Sequence, residues 1–190
     1  MKRSIIGIVA LFLMGCATLP EKKPNIWIDG QTKTSKTDTT WQSQGLLLQP
    51  IGEKIGAFTF FQVFGGGGGQ IYGGPTYSPT SWLQIGVGLG MEDVGPDDQN
   101  LRFGSFVYLS QDQYSLLGVY EDLGSGPFYL AQFNNKINER WGVGAMFQDG
   151  SGVGPRFQYN LKRDLMIWGA PLYEWQTEDW NLLIGLRYSF

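Results

Sequence analysis

The sequence has no histidine and a single cysteine, and its 14 Lys plus Arg are outnumbered by 17 Asp plus Glu, for a net charge of −3. Each shortage removes a class of function. A serine without a histidine lacks the usual base that makes it nucleophilic at neutral pH. Paired carboxylates occur in "EDLG", "GPDDQ" and "TEDW", but each lies in a turn, where solvated acids are ordinary. Metal sites are restricted to hard cations held by oxygen, and "MEDVGPDDQN" reads as a solvated acidic loop rather than such a site. One cysteine cannot close an intramolecular disulfide. An acidic balance argues against a nucleic-acid partner, because phosphate binding needs a basic face. The expectation is a protein with no catalytic residues, no metal and no bound cofactor.

Nucleotide signatures are missing too. The stretch "VFGGGGGQIYGGP", residues 63–75, has no lysine at the spacing of a phosphate loop, and neither it nor "IGVGLGMEDVG" provides G-x-G-x-x-G. The glycine run is therefore read as a loop of about sixteen residues between "IGAFTFFQVF" and a strand beginning near Ser81. The alternative is a loop containing one poor extra strand at "QIYGGPTY". Helical periodicity is hard to find anywhere beyond residue 40.

What the chain has is glycine, aromatics and alternation. Its 28 glycines are about twice the usual share of roughly 7%. Aromatics make up 15%. In "GVGPRFQYNLK", Val153, Pro155, Phe157 and Tyr159 share one face, against Gly154, Arg156, Gln158 and Asn160 on the other. "RWGVGAMFQD" and "WLQIGVGLGM" repeat this, with the bare face carrying Gly142 and Gly144, then Gly86, Gly88 and Gly90. Such segments start about every thirteen residues from Leu101 on, which leaves a strand of roughly ten and a turn of about three. The connectors "SQDQ", "DLGSG", "DGSG" and "QTED" use turn residues. Strands joined so tightly are antiparallel neighbours. With no helix to cover a face, closure is the simplest fate for their edges.

The fold class expected is all-β, a closed antiparallel up-and-down meander β-barrel of the membrane type. Strands at about 41–49 and 55–64 plus eight from residue 82 on make ten, with eight or twelve as alternatives. A soluble calyx with its apolar face inward would give the same alternation. Arg102, Arg156 and Arg187 fall on the polar face, with Glu121 and Glu174 as partners near strand ends. If that face is interior, the charges need pairing, and an ionic network is expected there.

The two ends of the chain break the tie. "MKRSIIGIVALFLMGC" has Lys2 and Arg3, an apolar run too short to span a bilayer comfortably, and a small residue before Cys16. "LMGC" resembles a bacterial lipobox, which implies a signal peptide over 1–15 and covalent lipid on Cys16; Ala17 after it implies delivery to the outer membrane. Without residues 1–15 the charges are 14 − 2 = 12 positive against 17 negative, or −5. Residues 16–40 read as the lipidated N-terminus and a polar tether, and 41–190 as the barrel. At the other end, "NLLIGLRYSF" places Leu182, Ile184, Leu186, Tyr188 and Phe190 on one face and stops on an aromatic. This resembles the C-terminal assembly signal of bacterial outer-membrane β-barrel proteins. The resemblance implies an outer-membrane location with both barrel termini periplasmic, and contact with lipid and with the barrel-assembly machinery. The function expected is a non-enzymatic scaffold or interaction protein with a side-chain-filled interior and a protein partner. A narrow transport pore, or a lipid-tethered soluble calyx binding an apolar ligand, is the alternative.

Overall fold

The computed structural model describes residues 24–93 and 99–190, so the signal segment and Cys16 lie outside the described residues. Among the described residues there are twelve strands: β1 Asn25–Thr34, β2 Thr39–Pro50, β3 Ile55–Phe64, β4 Gly69–Thr80, β5 Leu83–Asp93, β6 Gln99–Gln111, β7 Tyr114–Leu123, β8 Phe128–Lys136, β9 Trp141–Gln148, β10 Gly152–Asn160, β11 Leu165–Glu174 and β12 Asp179–Ser189. Each pairs antiparallel with its chain neighbour, and β1 pairs with β12 to close the barrel. The all-β meander is as the alternation predicts. The count is twelve rather than about ten.

Both unforeseen strands have a physical reason. β1 occupies residues read as tether, so the barrel starts at Asn25 rather than near residue 41. Its polarity is that of an inner face: Trp27, Asp29, Gln31 and Lys33 point inward, in register with Gln44 and Gln42 of β2, while Ile26 and Ile28 point outward. β4 carries three glycines and two prolines, a composition that propensity scores as loop. It is nevertheless hydrogen-bonded along both sides, to β3 and to β5, and only a bulge between Tyr77 and Thr80 breaks its register. Pairing on two flanks overrides the local preference.

The apolar face is outside. Phe157, Ile184 and Leu186 are 50%, 46% and 49% exposed, whereas Arg156 between its apolar neighbours is 1% exposed. That arrangement belongs to a barrel whose outer band meets lipid. It rules out the calyx, in which these side chains would face the axis. Leu182 and Tyr188 continue the outward row of β12. Phe190 lies just past the strand, its ring edge-on to Tyr188 at 4.7 Å and its N–H donating to the Ile26 carbonyl at 2.9 Å.

Inward glycines set the wall's curvature. A Cβ on Gly144 would overlap the Phe133 carbonyl of β8, and one on Gly90 the Ile71 carbonyl of β4. Without side chains at these positions the neighbouring backbones coil tightly against each other. Other glycines make room for rings: Gly104 lies under Tyr72, Gly86 under Phe106 and Gly185 under Trp168.

Candidate functional site: the barrel interior

Two polar assemblies and one cavity define the interior. The first assembly is built on β4 to β7. Arg102 Nη2 donates to Glu121 Oε2 at 2.9 Å, and Nη1 lies 3.8 Å from Glu92 Oε2. The same carboxylate of Glu121 accepts from Gln70 Nε2 at 3.0 Å and from the Tyr72 hydroxyl at 2.8 Å. Gly90 is register-paired with Arg102 and Gly104 with Glu121, so each long charged side chain faces a residue that leaves it space. A charge this buried is tolerable because both Nη groups are bonded and two carboxylates lie beside it, although its Nε makes no hydrogen bond.

This assembly also holds a turn. Arg102 Nη1 donates to the carbonyls of Leu123 and Gly126 at 2.8 and 2.7 Å, and Glu92 accepts from the backbone N–H and hydroxyl of Ser125 at 2.7 and 2.9 Å. The connection between β7 and β8 is thereby drawn toward the lumen, with Leu123 held at φ 68°, a backbone region that side chains other than Asn and Asp seldom adopt. Glu92→Ala is expected to cost about 2 kcal/mol, because hydrogen bonds to a buried carboxylate are lost. Limited proteolysis of the reconstituted protein should then cut near Ser125, where the parent resists.

The second assembly spans the closing seam. Asp29 of β1 is fully buried and accepts from Arg187 of β12 through Nε at 3.0 Å and Nη2 at 2.7 Å. Trp168 Nε1 donates to both Asp29 oxygens at 3.1 Å. The guanidinium of Arg187 lies over Trp27 at 4.3 Å, and that of Arg156 over Trp168 at 4.7 Å. Arg156 Nη1 donates to Asn134 Oδ1 at 2.8 Å and Gln158 Oε1 at 2.7 Å. On the same side, Met146, Trp168, Ala170, Leu172 and Leu183 pack as a buried apolar cluster. The turn after β9 folds over it, held by Asn181 Nδ2 donating to the Ser151 carbonyl at 2.9 Å and by Lys33 Nζ donating to that of Gly150.

Asn25 at the start of β1 and Ser189 at the end of β12 lie at one mouth of the barrel. A cavity of about 670 Å³ lies there, lined by Lys54, Ser78, Trp82, Gln84, Tyr108 and Ser110 among others. It sits beside the bulge in the β4–β5 pairing, where Pro79 interrupts the ladder. A smaller recess of about 120 Å³ next to it is lined by Gln49, Thr76 and Gln84.

The expected ionic residues are thus distributed rather than joined in a single network. Arg102 and Glu121 bond each other. Arg187 pairs with Asp29, which the sequence reading missed because it assigned β1 to the tether. Arg156 is bound by amides and a ring, and Glu174 stands apart at the end of β11, accepting from the Gln176 N–H at 3.2 Å. Glu92 was missed as well, although its place opposite Gln70 and Asn100 follows from extending the alternation of "IGVGLGME" by one residue.

No family model matches the chain, and no curated protein matches it. Solved structures do. A KdgM porin superposes with a TM-score of 0.56 at 12% identity, over 86% of this chain and 99% of that one. A KdgM porin in complex with disordered oligogalacturonate gives 0.57 at 12% identity, again over 86% and 99%. The Acinetobacter baumannii outer membrane protein Omp33 gives 0.51 at 11% identity, over 87% and 98%. These likenesses correct the expectation of a scaffold or interaction protein with a side-chain-filled barrel. Twelve strands enclose more space than ten, and the barrels of this shape include porins. The chain has the closed, twelve-stranded, porin-type fold of bacterial outer-membrane β-barrels.

Proposed function

We propose that the protein is a diffusion channel of the bacterial outer membrane, a non-enzymatic pore for small hydrophilic solutes. Its termini lie on the periplasmic side, where the wider cavity opens. The observation that carries this reading is the sidedness of the wall: a lipid-facing exterior surrounds an interior of amides, paired ions and a 670 Å³ opening. The porin-type fold supports it. In the same reading the lipid on Cys16 tethers the N-terminus to the membrane, and the outward row Leu182, Ile184, Leu186, Tyr188 and Phe190 is the strand presented to the barrel-assembly machinery.

Purified protein added to a planar bilayer is expected to give discrete conductance steps above background. A barrel that inserts, shifts on gels when unheated, and yet conducts nothing would end the channel reading.

A further inference from the structure

We propose that this lumen favours uncharged, polyhydroxylated solutes, neutral saccharides by chemical class, over acidic ones; the inference rests on the channel reading above. It starts from what the interior cations are already doing. Arg102 is held between Glu92 and Glu121, and Arg187 is bound by Asp29 through two nitrogens. Arg156 is 1% exposed beneath Trp168. Arg102 and Arg187 are already paired with carboxylates; Arg156 has none and its Nε and Nη2 make no hydrogen bond, but its burial keeps it from a passing carboxylate, which would give up water without a charged partner in return. At the cavity, Lys54 is accompanied by Glu53, one charge of each sign.

Apart from Lys33, tied to the Gly150 carbonyl, Glu174 at the end of β11 and the apolar cluster on the β9–β12 side, much of the remaining inner surface is neutral and polar or aromatic. Gln42, Gln44 and Gln62 point inward across β2 and β3, as do Gln84 and Gln132 farther around. A carboxamide both donates and accepts, which matches a hydroxyl that does the same. Beside these amides are ring faces. Phe60 and Phe106 are half-buried on inward positions, and Tyr108 is 37% exposed where it lines the cavity. The weakly positive C–H face of a pyranose rests well on the negative face of such a ring. Amide rows alternating with rings fit a hydroxylated ring compound, whereas a polyanion such as the oligogalacturonate named with one fold neighbour would need unpaired cations along its path.

The test uses full-length protein in liposomes of neutral lipid, with glucose and glucuronate as size-matched osmolytes, and a potassium chloride gradient across a planar bilayer. Glucose-driven swelling is expected to run at least about fivefold faster than glucuronate-driven swelling, with cation and anion permeabilities within about twofold. Tyr108→Ala should slow glucose entry about threefold. Gln44→Arg, which adds an inward cation lacking a carboxylate partner, should move the reversal potential toward anion preference and narrow the gap between the sugars. Equal or faster entry of glucuronate, or strong anion preference in the parent, overturns this inference and leaves the channel standing. Absence of both conductance and swelling overturns the channel and the inference with it.

Discussion

Asp29→Ala is expected to destabilise the barrel by about 3 to 5 kcal/mol, the usual consequence of leaving a buried charge without its partner. Asp29 is fully buried and accepts two hydrogen bonds from Arg187 and the single Trp168 indole N–H, shared between its two oxygens. Alanine removes every one of them. Arg187, over Trp27, and Arg156, over Trp168, would then be neighbouring cations with no carboxylate beside them. The measurement is the urea midpoint of refolding in detergent, followed by the loss of the fast-migrating band in unheated samples. Asp29→Leu combined with Arg187→Met should recover most of the loss, since a well-packed apolar pair replaces a buried ion pair at little net cost. If the single and double variants are equally unstable, packing at the seam and not charge is what matters there.

Gly144→Val is expected to cost about 3 kcal/mol or more, at the upper end for overpacking. Gly144 is paired with Asn134, and any Cβ would overlap the Phe133 carbonyl of the adjoining strand. The obstacle is backbone, so no rotamer relieves it; β8 and β9 must separate or flatten. Gly30 is the comparison, because a Cβ there meets nothing within 4 Å. Gly30→Ala should stay within about 0.5 kcal/mol of the parent. The readout is again the refolding midpoint, and equal effects at the two sites would contradict the tight-coiling account of the wall.

Alternation with period two was legible because the two faces of the wall meet different media. Wherever outward Leu, Ile, Val or Phe alternate with glycine or polar residues, as in β5, β9, β10 and β12, the strand and its facing could be read directly. β1 was hidden for the opposite reason. Its outward row includes Gly30 and Thr32, so the contrast between faces fades, and Asp29 looks solvated although it is the most enclosed carboxylate of the seam. β4 was hidden by Gly73, Gly74, Pro75 and Pro79, whose intrinsic preference for loops is outweighed by hydrogen bonding on both edges. Arg102, Arg156 and Arg187 were assigned to the interior from their place in the pattern, and Glu121 and Glu174 as partners from their place near strand ends. Which acid each arginine would meet was not legible, because that depends on register between strands and on depth along the barrel, neither of which a single strand's sequence encodes.

The way the β7–β8 and β9–β10 connections are held changes what kind of surface their end of the barrel presents. Ordinary hairpin tips drift freely over generations, since little depends on them. These two are anchored by Glu92, Arg102, Asn181 and Lys33, so their sequence is under the same restraint as the lumen they overhang. Among the described connections at that end, the tips at Ser35–Asp38 and Trp175–Glu178 have ties that are local or solvent-exposed, so substitutions there disturb the lumen least.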